Sequence, residues 1–133
     1  MATLTDAWAN HIYDLVNRAT APPALTDVYL RLHTDDPTAA GSFADEVSGG
    51  SYTGQAIASA MGAPTAGTGS NTTQIDFADM PAAVVTHWSK CKTAAGTVDS
   101  DEMIEFGAFA TPASVTGGAT LPVLVGDLDS TAD

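Results

Sequence analysis

Val28-Tyr29-Leu30-Arg31-Leu32-His33-Thr34-Asp35-Asp36-Pro37 is the stretch on which the fold turns. Val28, Leu30 and Leu32 alternate with Tyr29, Arg31 and His33. A period of two places alternate side chains on opposite faces of an extended chain, so the pattern predicts a half-buried strand. Asp35-Asp36-Pro37 then turns the chain out of it, because Asp bonds its own backbone and Pro fixes φ.

The same grammar continues towards the C-terminus. Residues 34–50 form a long connection ending in Ser48-Gly49-Gly50, where glycine permits the positive φ needed to begin a return strand. Tyr52 to Ser59 predicts a second strand, whose small residues Gly54, Ala56, Ala58 and Ala60 suit close approach of another layer. Residues 62–71 are rich in Gly, Pro, Thr and Ser and predict a loop. Thr73, Ile75 and Phe77 alternate with Thr72, Gln74 and Asp76, and Pro81 ends that strand. Val84 to Cys91 follows, anchored by Trp88. After a polar, acidic turn over 93–102, Met103 to Ala110 puts Ile104 and Phe106 on one face, and Pro112 and Gly117-Gly118 punctuate. Leu121, Val123 and Val125 close the series, with Pro122 placing that strand at an edge. The acidic tail 127–133 is expected to fray.

Towards the N-terminus the period changes. Leu4, Ala7, Trp8, Ile12, Leu15 and Val16 recur at three- and four-residue spacing, which predicts a helix over 3–19 with one apolar stripe. Thr3 with Asp6 resembles a capping box, and Pro22-Pro23 prevents continuation. This helix could pack on its own domain or on a neighbouring subunit. Together the elements predict a mainly β chain, a jelly-roll-like β-sandwich with one N-terminal α-helix. Residues 1–22 would be helix and linker, and 23–133 the sandwich domain.

The 133 residues suit one domain, burying roughly two-thirds of the unfolded surface. No apolar run is long enough for a transmembrane helix, and the N-terminus lacks a secretory pattern. Sixteen acids, thirteen of them Asp, face only Arg18, Arg31, Lys90 and Lys92, for a net charge of −12. Such a chain repels phosphate backbones and anionic membranes, so neither nucleic acid nor membrane is an expected partner. Scarce Lys with abundant Asp, Ala and Thr fits a source living at high salt, where a carboxylate-rich surface is screened. Cys91 is the single cysteine, so no intramolecular disulfide or cysteine metal cluster can form.

The segment Val28–Pro37, followed by Glu46-Val47-Ser48-Gly49-Gly50-Ser51-Tyr52 and Gln55-Ala56-Ile57, resembles a family of small virion proteins of tailed phages and tailed archaeal viruses. Members are often labelled tail-fibre-like or minor structural proteins. The family's pattern is an LYLxLHTxDP strand, a loop ending in EVSGGxY, then RQ and an alternating strand. It is met here by Tyr29, Leu30, Leu32, His33, Pro37, Gly49, Gly50 and Tyr52. Gly54 stands where the family usually has Arg, which removes a surface cation. Val85-Thr86-His87-Trp88, Gly107-Ala108-Phe109 with Thr111-Pro112, and Gly117-Gly118 before Leu121 resemble later segments more loosely. The resemblance spans roughly 25–128 and implies a structural role on the virion exterior, without catalysis.

Chemistry offers weaker alternatives. A Ser-His-Asp triad could draw on Ser48 or Ser51, His33 or His87, and Asp35 or Asp36, but no Gly-x-Ser-x-Gly elbow is present. Asp35, Asp36, Asp45 and Glu46 share one loop and Asp99, Asp101 and Glu102 another. Their oxygens would suit Ca²⁺ or Mg²⁺, though neither loop has EF-hand spacing. Trp8, Trp88, Tyr29, Tyr52 and Phe109 could stack on a glycan, but so few aromatics are needed for the core first. The expectation is therefore no enzyme and no cofactor: a virion component that assembles with itself and with other virion proteins. Head decoration or a turret is slightly favoured by the chain's shortness. A tail, baseplate or fibre part with host-glycan recognition is the alternative.

Overall fold

The central expectation is met: Tyr29–His33 is a strand, here β2. The computed structural model describes residues 2–97 and 99–131. In chain order these contain β1 (Ala2–Leu4), α1 (Asp6–Arg18), β2, β3 (Gln55–Ala56), a single 3₁₀ turn at Ala58–Ala60 and β4 (Thr68–Gly69). β5 (Ile75–Phe77), β6 (Ala83–Cys91), β7 (Met103–Val115), β8 (Leu121–Val123) and β9 (Ser130–Thr131) follow. The molecule is mainly β, with a single N-terminal helix among the described residues and a layered arrangement consistent with a β-sandwich.

Five strands form one antiparallel sheet in the order β1-β7-β6-β2-β3, and two ribbons, β5-β8 and β4-β9, accompany it. The apolar face of the sheet supplies Leu30, Leu32, Val85 and Trp88. Opposite them the β5-β8 ribbon supplies Ile75, Phe77, Leu121 and Val123, and Val47, Ile57, Met80 and Leu128 close the core. The ribbon shows why alternation was readable: Ile75 and Phe77 are buried and Asp76 is exposed, while Leu121 and Val123 are buried and Pro122 is exposed. Pro122 pairs only towards β5, at the edge position a residue without N–H tolerates. Asn71 holds the C-terminal turn to this layer. Its amide donates to the carbonyls of Thr73 and Leu124, and its oxygen accepts from the N–H groups of Gly126 and Leu128.

Two glycines set close approaches. At Gly107 a Cβ would lie 2.6 Å from Cζ2 of Trp88, so only glycine lets the indole lie across β7. At Gly50, φ is +58° and a Cβ would meet the Asp79 carbonyl at 2.6 Å.

Several boundaries differ from the sequence reading, each for a tertiary reason. The helix begins at Asp6, because Ala2–Leu4 pair with Gly107, Phe106 and Glu105 of β7. Thr5, not Thr3, is the N-cap. Its hydroxyl donates to the Met103 carbonyl at 2.7 Å rather than capping the helix. Tyr52–Ser59 yields only Gln55–Ala56 as strand, since Ile57 turns in to bond the Val28 carbonyl and a 3₁₀ turn follows. β7 does not stop at Ala110 but runs through Pro112 to Val115. Its ladder with β6 shifts register between Val85↔Ala113 and His87↔Ala108, and Pro112 falls in that interruption, where no N–H is required. The tail is not frayed at Ser130–Thr131, which pair with Gly69 and Thr68; residues 132–133 lie outside the described residues.

Candidate functional site

β2 pairs with β6 on one side, and with β3 only at Tyr29 and Leu30 on the other. The remaining edge, at Leu32 and His33, would expose unpaired backbone. The connection 34–52 covers it: Val47 N–H donates to the Leu32 carbonyl at 2.9 Å, and Leu32 N–H donates to the Tyr52 hydroxyl at 2.8 Å. The Tyr52 ring stacks on Phe77 in the core, 5.9 Å between centroids, while its hydroxyl also donates to Glu46. Burial pushes the Tyr52 phenol above its ordinary pKa, so it remains a neutral donor. The Glu-Val-Ser-Gly-Gly-Ser-Tyr segment thus supplies an edge cover, two turn glycines and a pin into the core.

The polar face of β2 is not solvent-facing. Arg31 is 2% exposed and His33 fully buried. Arg31 donates to both Glu46 oxygens, at 2.7 and 2.5 Å, and to the Gly96 carbonyl at 2.7 Å. Glu102 lies 3.5 Å away, and the guanidinium sits 4.2 Å from the centroid of the Phe43 ring. Burial works against its charge, but Glu46 outweighs that, and its pKa stands above the ordinary value. Glu102 in turn accepts from the N–H and hydroxyl of Thr93. One buried cation therefore joins the sheet to both long connections, 34–50 and 93–102. Sequence reading missed Arg31 and Glu102 as partners; the one signal was that a chain with only four cations places one inside its most patterned strand.

Beside Arg31, His33 Nε2 and Ser89 Oγ share a 2.7 Å hydrogen bond, and Ser89 Oγ lies 3.3 Å from Cys91 Sγ. Burial, then the nearby charges of Arg31 and His87, lowers the His33 pKa to about 4. Burial pushes the Cys91 thiol up to about 12, so it is held as an unreactive thiol. A lowered histidine pKa means the unfolded chain binds the proton more readily. The stability His33 contributes is complete above about pH 6.5 and is lost as pH falls towards 4, about 3 kcal/mol in all. Asp101 adds to the loss at lower pH still, because hydrogen bonds with Asp99, Lys92 and His11 hold its carboxyl below the usual range. Denaturant melts at pH 7, 5.5 and 4 should show falling stability, and His33→Gln should flatten the upper part of that profile. An equally steep profile in the variant would refute the assignment.

The acidic residues considered as metal ligands are placed apart. Glu46 is turned onto Arg31. Asp35 accepts from Asp36 N–H and Asp36 from Thr38 N–H, each capping its own turn, and Asp45 is exposed. In the second loop, Asp99 and Asp101 hold Lys92. Among the described residues no group of three or more His, Cys, Asp or Glu side chains converges as a metal site. The triad candidates are also dispersed: Ser51 donates to Asp79, His87 bonds Thr86, and Asp35 stays in its turn. Trp8 and Trp88 are buried, and Tyr29, Tyr52 and Phe109 half-buried, so packing takes all five aromatics. Gly54, read as a lost surface cation, is buried: its N–H donates to the Ala94 carbonyl, and a Cβ would stand 2.7 Å from that oxygen.

The outer half of α1 presents an exposed apolar stripe. The helix is fastened at its start: Thr5 to β7, Trp8 Nε1 to the Asp101 carbonyl at 2.7 Å, and His11 to the Asp101 carboxylate at 2.9 Å. Beyond His11 the apolar stripe continues outside the domain, with Ile12, Leu15 and Val16 41%, 44% and 75% exposed.

No curated protein matches the chain. The model of one family, described as Podophage GP4 fiber I protein gp80, matches residues 3–131, nearly the whole of this β domain with its leading helix. The chain belongs to that family, and is accordingly a virion-located structural protein of a tailed virus that associates with other virion proteins.

Proposed function

We propose that the protein is a non-enzymatic subunit of the tail, built into a fibre or its attachment, and that it works by contact alone. The exposed outer half of α1 carries this reading. It is an apolar surface presented by a domain whose sheet cations are committed to internal ion pairs: Arg31 to Glu46 and Glu102, Lys90 to Glu105, Lys92 to Asp99 and Asp101. Contiguous exposed apolar surface on an otherwise acidic domain marks an interaction site. The hydroxyl–imidazole pair of Ser89 and His33 is fully buried, closed to a substrate, and the role needs no metal or cofactor. The family's description speaks of a fibre and supports the tail over the head decoration that shortness alone favoured. The acidic surface keeps such particles soluble, in brine above all.

Localising the chain on intact particles tests this directly. Antibody-gold or a density map should place it on the tail. Signal at capsid vertices would move the role to the head, and a particle lacking the chain would end the structural reading.

A further inference from the structure

We infer that the pocket between β7 and the C-terminal turn binds a neutral saccharide, a function beyond the placement of the chain on the tail. Trp88, Ala108, Ala110, Gly126, Asp127 and Asp129 line this pocket. Its volume is about 170 Å³, roughly ten times what a single water needs. Packing buries the Trp88 ring, yet its Nε1–H has no acceptor among the described residues. A buried donor left unpaired is costly, and it calls for an acceptor supplied from outside the chain. The ring sets that donor beside the pocket. A Cβ on Gly107 would meet Cζ2 and Cε2 of the indole first, at 2.6 and 2.9 Å, so this edge of the ring faces β7. Nε1 is bonded to Cε2, and the pocket lies along the next part of that strand, at Ala108 and Ala110. Both alanines are exposed, and their small side chains leave the space open.

The other wall is acidic and held in place. Leu128 is fully buried, and Asn71 accepts from the N–H groups of Gly126 and Leu128. Asp127 and Asp129, on either side of Leu128, are exposed and reach the pocket. Asp127 gives Oδ2 to the Leu124 N–H, while the Asp129 carboxylate has no hydrogen bond or ion pair among the described residues. One fixed donor beside two carboxylates selects the ligand. It must accept from the indole and donate to the acids, and a hydroxyl group does both. A metal ion would meet the positive end of the N–H dipole, and an anion would meet Asp127 and Asp129. A ring bearing several hydroxyls satisfies both walls at once.

NMR of the ¹⁵N-labelled full chain reads this site without altering Trp88. The chain has two tryptophans, and the Trp8 indole, bonded to the Asp101 carbonyl, is the internal reference. The probes are glucose, galactose and mannose, the last two each differing from glucose in the orientation of one hydroxyl. At least one should move the Trp88 Nε1–H signal saturably while Trp8 stays still, with a dissociation constant in the millimolar range. Glucuronate, the glucose ring with a carboxylate, should bind at least about tenfold more weakly, because Asp127 and Asp129 repel it. Ala110→Leu should abolish the shift by filling the pocket, and Asp129→Ala should raise the dissociation constant about tenfold. Both should leave Tm unchanged, since the residues are exposed. No movement with any of the three sugars, equal movement of Trp8, undiminished binding by Ala110→Leu, or a response to Ca²⁺ with none to sugar would each overturn the inference. These signals are read on the free chain, so finding the protein at capsid vertices would not alter them, and the two failures are separable.

Discussion

Replacing Trp88 with alanine should remove about 3–5 kcal/mol of folding stability, a large share of what a domain of this size possesses. Trp88 is 1% exposed and the bulkiest of the fully buried side chains. It lies in the core between β2 and β7, opposite Leu32 on one side and Gly107 on the other. Its indole occupies the space above Gly107 that a side chain would otherwise fill. Truncation therefore opens a cavity bounded by backbone, which cannot collapse around the loss. The reciprocal change, Gly107→Ala, should cost about 1–3 kcal/mol by overpacking, since its Cβ would overlap the ring. The two effects should be strongly non-additive: once the ring is gone, the added methyl has room. Urea denaturation of both single variants and the double variant measures this. Simple addition of the two losses would show that the ring does not rest on Gly107.

Glu46→Ala should destabilise by about 3 kcal/mol, far more than a surface carboxylate would. The reason is the partner left behind: Arg31, 2% exposed, would lose both charge-assisted hydrogen bonds to Glu46 and retain Gly96 and the more distant Glu102. The loss should fall on the connection 34–50, because Glu46 is where that segment meets β2. Hydrogen exchange should accordingly rise at Val47 and Leu32 before it rises in β6. Changing both partners, Arg31→Met with Glu46→Met, should recover part of the loss, since no buried charge is then stranded. A loss within about 0.5 kcal/mol for Glu46→Ala would show the pair to be a surface contact.

Much of the architecture was legible because period two and period 3.6 are local properties. Thr73–Phe77 and Leu121–Val123 announced two strands, each with one buried face, though not their pairing, and Trp8, Ile12, Leu15 and Val16 announced a one-sided helix. The motif residues Gly49, Gly50 and Tyr52 could be given turn and margin roles, and all three keep them. The acids were misleading in the opposite way. Asp35, Asp36, Asp45 and Glu46 are neighbours in sequence, yet a loop can aim adjacent carboxylates at different partners. One went to a buried guanidinium and two to their own backbone.

By itself the sequence determined which side chains share a face and where the chain turns, both consequences of residue type and spacing. Whether a face is covered was decided only by the tertiary structure. Arg31 and His33 alternate as a solvent face should, but Phe43, Glu46, Gly96 and Glu102, brought from elsewhere in the chain, close over them. Ile12, Leu15 and Val16 recur at the spacing of a buried helix face, but their own domain leaves them 41%, 44% and 75% exposed. Alternation sorts side chains into two sets, while burial depends on the atoms that distant segments place above each set.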